Sequence, residues 1–407
     1  GTNSTSYYFS VASGDITNFF NEVDLNTPWD YHYENLDSRT ILDRLAAVKY
    51  FVVKAGEEEY LPYGYDTLAA EAEKNDRLYR AYECKNALPI GYTYDSYIPE
   101  EKYAKMSTVE KQQALLQGVV LADSTVPETT PEFNDREVSY KLVTGSGCRE
   151  KDGKLIVTKE NAQAKLVFDG LDECETYLIT EGVDYEALSP RELISDKKWN
   201  KMTLYEQKKV QYENSKWRYW KESQKAYIDV TGQFLDKTIS IFTDKYNAYS
   251  GRSDFLCNTG YSEKGKKSIT LTFENTGVYS YKDMKVVCQP MKNIESQTSR
   301  LGTESLKDVK IKNHELTGKI SVSKDKVLVI SLPYSKGFQA YVDGQKTELK
   351  QANTMYMALE LTKGDHEIRI TYCTPYLKTG LVLTCVGILC YSCVVLVCKK
   401  RRGNKKT

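Results

Sequence analysis

Residues 380–398 read GLVLTCVGILCYSCVVLVC, nineteen positions without a charge, followed at once by Lys399, Lys400, Arg401 and Arg402 and then by Lys405 and Lys406. At ~1.5 Å per helical residue the run covers about 28 Å, close to the ~30 Å hydrocarbon core of a bilayer, and it predicts a membrane-spanning helix. The cationic flank orients that helix with its C-terminus in the cytoplasm, since basic residues beside a span stay on that side. Everything before it is then expected outside the cytoplasm. The alternative, a buried core helix, fits neither the length nor the basic flank.

Charge divides the same way. The span and tail hold six of the 56 Lys and Arg and none of the 56 Asp and Glu, leaving a net of −6 on the remainder. Such a body is not a nucleic-acid binder. Residues 1–20 show neither a signal peptide nor a membrane helix, and the chain starts without Met, so a C-terminal piece of a larger polypeptide or a processed chain is expected.

Some 375 residues outside the membrane predict two or three domains. Residues 1–125 read as a mixed α/β subdomain. Ser38 is placed to cap a helix carrying Ile41, Leu42, Leu45 and Val48 on one face, 50–53 reads as a buried strand, and Ser107 with Glu110 has capping-box spacing. Pro127 and Pro131 mark a boundary. Residues 136–290 read as an antiparallel β-sandwich, most clearly at 268–273, where Ile269, Leu271 and Phe273 alternate with Ser268, Thr270 and Thr272.

A basic helical insertion at 189–225 interrupts the sandwich, opened by a Thr203/Glu206 capping box. Tyr205, Tyr212 and Tyr219 recur every seven residues beside Trp217 and Trp220. Such a helix either packs on the sandwich or presents Tyr205, Tyr212, Trp217 and Trp220 as an interface to lipid headgroups, sugar or a partner protein. Residues 300–373 read as a membrane-proximal β-domain with an Asp343-Gly344 hairpin turn. The membrane helix follows at 378–398 and a basic tail at 399–407. The expected fold class is α+β and mostly β.

The chain carries 32 Tyr, suited to sheets, interfaces and sugar-facing surfaces. Six Cys lie outside the span, where the compartment would permit bridges such as Cys148 to Cys174 or Cys257 to Cys288. Cys390 and Cys393 form a C-x-x-C inside the apolar run, without partners for redox or metal work. Asn3-Ser4-Thr5 is the sole glycosylation sequon. Of three His, His366 has the parity of Ile368 and Ile370 and reads as a sheet-edge residue. No nucleophile elbow, phosphate loop or zinc pattern occurs, so neither catalytic residues nor a metal or cofactor site is expected.

Several short runs carry more than these motifs do. Leu36-Asp37-Ser38-Arg39, then 48–53 (VKYFVV), Pro62-Tyr63-Gly64-Tyr65 and Leu88-Pro89-Ile90-Gly91-Tyr92 occur in that order, followed by Asn258-Thr259-Gly260-Tyr261, 332–338 (LPYSKGF), Val342-Asp343-Gly344, Gly364-x-His366 and Tyr372-x-x-Pro375. Together they resemble the bacterial YfhO-like membrane proteins along nearly the whole chain.

That resemblance implies a long polytopic protein similar to the GT-C glycosyltransferases. Their transmembrane bundle carries catalytic carboxylates and takes sugar from a polyprenyl-phosphate donor. It implies extracytoplasmic glycosylation of a cell-envelope glycopolymer or lipid, such as a teichoic acid, with the bilayer, the donor and the glycan acceptor as partners. This chain would be the large outer domain plus one helix, and no catalytic residue of that class maps onto it. The loops around Tyr63, Tyr92 and Tyr261 are the expected sugar contacts. The competing expectations are a membrane-anchored carbohydrate-binding module without an enzymatic role, and a structural subunit docking through the aromatic helix.

Overall fold

The computed structural model describes residues 4–8, 13–27, 32–220, 225–232, 235–247 and 249–403, with side chains for all of these except 7–8, 32–34, 218–220 and 399–403. Asn3, the Trp220 side chain and the basic tail side chains lie outside the described residues. The chain is α+β and mostly β, built from antiparallel sheets with one long C-terminal helix.

Alternating sequence produces the middle sandwich. One sheet orders Tyr140–Thr144, Ala162–Phe168, Ser268–Phe273, Lys225–Thr231 and Asp236–Phe242. A second orders Phe255–Ser262, Cys174–Glu181, Asp283–Pro290 and Arg136–Val138. Ile269, Leu271 and Phe273 point into the shared core with Leu166, Leu178, Val230 and Val286. Each such side chain contributes roughly 1.5–3 kcal/mol by leaving water. A third sheet, with Lys154–Val157 and Gly277–Ser280 at its centre, closes one end.

The C-terminal sandwich repeats the arrangement. Its five-stranded sheet holds Glu315–Val322, Gly364–Tyr372 and Phe338–Val342 at its centre, facing a four-stranded sheet of Lys350–Ala352, Tyr356–Leu361, Lys326–Pro333 and Gly91–Tyr94. The last of these strands comes from early in the chain and pairs Gly91 with Ile330 and Tyr94 with Val327. Asp343 and Gly344 both take positive φ, +53° and +79°, as a two-residue hairpin turn requires. His366 lies on an interior strand of its sheet, not at an edge as expected, and its ring is held between Asp343 (2.7 Å) and the Thr362 carbonyl (2.8 Å).

Three helices, Gly14–Glu22, Thr40–Leu45 and Thr108–Ala114, pack on the outer face of the four-stranded sheet, so Phe19, Leu42 and Leu115 share one core with Val327, Val329 and Tyr356. The Ser107/Glu110 capping box forms in full. Ser38 does not cap its helix: it takes φ +55°, and Arg39 occupies the N-cap position with no side-chain cap bond. A three-stranded sheet of Tyr50–Lys54, Arg77–Cys84 and Tyr65–Lys74 stands outside this core. Tyr50, Val52, Leu68 and Leu78 are exposed there, so 50–53 is not the buried strand its composition suggested.

All ten Cys are free. Cys257 and Cys288 flank the strand that carries Thr176 and Leu178, one on either side of it. Two inter-strand spacings of ~4.8 Å put them beyond the ~7 Å limit for a bridge. Cys148 and Cys174 belong to different sheets. Burial pushes the Cys174 and Cys257 thiols up to about 12, which keeps them inert.

Leu377–Gly403 is one helix, of which Leu377–Cys398 is long and apolar enough to cross a membrane. It begins five residues after the last strand of the C-terminal sandwich.

Candidate functional site

The helix Thr40–Leu45 carries buried charges that its apolar stripe did not reveal. Arg39, Asp43 and Arg44 are all at most 1% exposed. Buried guanidinium groups must find acceptors, and these find them on other elements. Arg39 Nε donates to Gln112 Oε1 at 2.9 Å, and Gln112 Nε2 donates to Tyr177 Oη at 3.0 Å. Tyr177 Oη donates to Glu175 at 2.5 Å. The Glu175 carboxylate also accepts from the Thr40 backbone N–H and hydroxyl. This network seals the helical layer to the middle sandwich.

Arg44 works at the outer end of the same seam. Its guanidinium pairs with Glu295 at 2.6 Å, donates to Thr298 Oγ1 at 3.1 Å, and lies 5.9 Å from the Tyr63 ring centroid. Gly64, at φ +83°, lets the 62–65 loop close over it, because a Cβ there would sit 2.4 Å from Arg44 Nη2.

From the sandwich side, Asn258 Nδ2 donates to the Asp37 and Ser38 carbonyls at 3.2 and 2.9 Å, while its Oδ1 accepts from the Gly260 N–H at 2.8 Å. Gly260 takes φ +88°, and the chain turns so that Tyr261 meets Tyr63, ring centroids 4.9 Å apart and planes tilted by 51°. Beneath the turn, Lys266 Nζ donates to the Gly260 carbonyl at 2.7 Å and also to the Thr259 carbonyl. Burial pushes its ammonium down to about 8.

The result is a half-buried tyrosine pair bordered by Glu295, which also accepts from Asn86 Nδ2. Burial pushes both phenols above their ordinary range, so they remain neutral donors. Burial also acts on Glu295 and would raise its pKa, but the Arg44 hydrogen bond and charge outweigh it, and the carboxyl is held below its ordinary range and stays ionised. Aromatic faces beside an ionised carboxylate and an amide can stack on a sugar ring and hydrogen-bond its hydroxyls. They are not an acid/base pair.

Tyr92 does not join them. It is fully buried, donates to the Leu45 carbonyl at 3.1 Å and packs on Tyr94 in the core beneath the helices. The aromatic helix, Leu204–Trp220, rests on the sandwich through Trp217, while Tyr205 (79% exposed) and Tyr212 (60%) are left exposed. Its Thr203/Glu206 box is formed at 2.7 and 3.3 Å. Among the described residues no group of three His, Cys, Asp or Glu is gathered to hold a metal.

Residues 1–384 match the family described as bacterial membrane protein YfhO. The chain belongs to that family. It is 21% identical to the uncharacterized protein YfhO of Bacillus subtilis (strain 168) over 415 residues, covering 99% of this chain and 42% of that protein. The chain thus spans about two-fifths of its relative.

Among solved structures it is similar to the arabinofuranosyltransferase AftD from mycobacteria, with a TM-score of 0.16 and 14% identity over 38% of this chain and 13% of that one. It is also similar to the tandem CBM22 domains of Paenibacillus barcinonensis Xyn10C, with a TM-score of 0.22 and 8% identity over 60% of this chain and 92% of that one. At those scores neither likeness bears on fold or activity.

Proposed function

We propose that this chain is the extracytoplasmic body and one membrane helix of a polytopic YfhO-family protein. In that role it assists transfer of sugar from a polyprenyl-phosphate donor to a cell-envelope glycopolymer or lipid, such as a teichoic acid. The body holds the glycan and the chemistry belongs to the part of the protein outside this chain. The observation that carries the glycan-holding role is the Tyr63–Tyr261 pair beside ionised Glu295, at the point where the 36–39, 62–65 and 258–261 runs meet.

Removing the body from the full-length protein tests this. Sugar transfer is expected to stop while the body alone transfers nothing, and unchanged transfer after deletion would discard the proposal. The same tyrosine pair also fits a second reading, a membrane-anchored carbohydrate-binding module without an enzymatic role. Glycan binding by the body, with transfer indifferent to its deletion, would select that one.

A further inference from the structure

A cleft of about 270 Å³ opens at the end of the C-terminal sandwich that meets the membrane helix, lined by Ile311, Leu316, Leu332, Phe338, Ile370 and Tyr372, with Lys312 and His314 at its rim. That volume is near the lower end of small-molecule sites. Its position is fixed by the chain: Tyr372 N–H donates to the His314 carbonyl at 2.8 Å, and five residues at no more than ~3.6 Å each reach Leu377, so the cleft lies within about 18 Å of the apolar helix. A turn in that link, closed by Leu377 N–H on the Thr374 carbonyl at 3.2 Å, shortens the span further.

The 332–338 run braces the same corner. Gly337 accepts from Cys373 N–H at 3.0 Å, and a Cβ on it would lie 2.6 Å from the Cys373 carbonyl and 3.1 Å from Pro375 Cδ. That contact sets Lys336 beside the segment that leads to Lys378 on the first turn of the helix. Phe338 packs on Tyr372 at 4.9 Å, and Tyr376 is 84% exposed, the position of an interfacial aromatic. Among the lining residues Glu315 is the only carboxylate, and it faces Arg369 at 3.7 Å.

We propose that this corner binds an anionic, phosphate-bearing lipid of the adjoining leaflet. The upper part of an acyl chain enters the Ile311–Leu332–Phe338 cleft, and the phosphate is held by Lys312, Lys336 and Lys378. The lipid would fix the height and tilt of the whole body above the bilayer. A basic side chain near such a surface is worth ~1 kcal/mol, about fivefold in binding.

The test uses the full chain in phosphatidylcholine nanodiscs carrying a trace of photoactivatable phosphatidylglycerol, with the crosslinked peptides read by mass spectrometry. Labels are expected on 311–316 and 332–338. Lys336→Gln and Lys312→Gln should each lower their yield about fivefold without lowering labels on 377–398. Leu332→Trp should remove the cleft labels. Labels confined to 377–398, equal yields from a photoactivatable phosphatidylcholine, or cleft yields unchanged in both lysine variants would overturn the proposal.

Discussion

The carboxylate of Glu175 accepts the hydrogen bonds of both the backbone N–H and the hydroxyl of Thr40, at 3.1 and 2.5 Å, so a sandwich strand caps a helix that lies 135 residues earlier in the chain. The first turn of that helix also carries Asp43, buried next to Glu175 and with one carboxylate oxygen unpartnered. Burial first, and then the Glu175 charge, hold Asp43 well above its ordinary 3.8, with Lys237, Asp37 and Arg39 as the further charged neighbours.

A carboxyl raised in the folded state binds its proton more tightly folded than unfolded. Stability therefore falls as pH rises from about 4 to the folded pKa and is level above it. Glu175, also raised by burial, adds to the same slope. Asp43→Asn is expected to flatten the decline in the urea midpoint across mildly acidic pH. An equally steep decline in the variant would contradict the assignment.

Gly337 and Gly344 should respond differently to alanine. A Cβ on Gly337 meets the Cys373 carbonyl at 2.6 Å, whereas Gly344, at φ +79°, has open space around it. Gly337→Ala is expected to cost ~1–3 kcal/mol by overpacking, and Gly344→Ala ~1–2 kcal/mol from the left-handed backbone alone. Thermal unfolding in detergent measures both. Only Gly337→Ala should also loosen the sandwich from the membrane helix, seen as faster proteolysis in the 373–376 link.

The residue of the Leu204–Trp220 helix that packs on the sandwich core is Trp217, while Tyr205 and Tyr212 of the tyrosine repeat are exposed. Trp217→Ala is expected to destabilise the middle sandwich by ~2 kcal/mol, less than full burial would give. Tyr205→Ser and Tyr212→Ser should stay within ~0.5 kcal/mol. Chemical denaturation separates the two sets, and a costly Tyr212→Ser would show that this outward face is covered.

Much of this fold was legible because it rests on local chemistry. The alternation at Ser268–Phe273, the Asp343-Gly344 turn and the boxes at Ser107 and Thr203 form as their spacing dictates. The seam was not legible, since Arg39 finds Gln112, Thr40 finds Glu175 and Arg44 finds Glu295 across long stretches of chain, and no spacing announces a long-range hydrogen bond. Two of the three tyrosines expected at sugar came together because Gly64 and Gly260 shape their loops. Tyr92, on a strand with every residue buried, went to the core instead.

Orientation across the membrane can be read from one thiol. Outside the long helix, Cys84, Cys148, Cys174, Cys257 and Cys288 are buried and Cys373 is exposed. A membrane-impermeant maleimide applied to intact cells is expected to label Cys373, with the label lost in Cys373→Ser. Labelling that required permeabilised cells would put the body on the cytoplasmic side.

The most direct measurement is sugar transfer by the full-length protein carrying Tyr63→Ala and Tyr261→Ala, compared with Tyr205→Ser and Tyr212→Ser. Loss of two stacking rings, each worth ~0.5–1.5 kcal/mol, predicts a fall of about fivefold to more than a hundredfold at limiting acceptor, with the folded fraction unchanged. Transfer at the unsubstituted rate from a folded Tyr63/Tyr261 variant would contradict the assignment of that pair to the glycan.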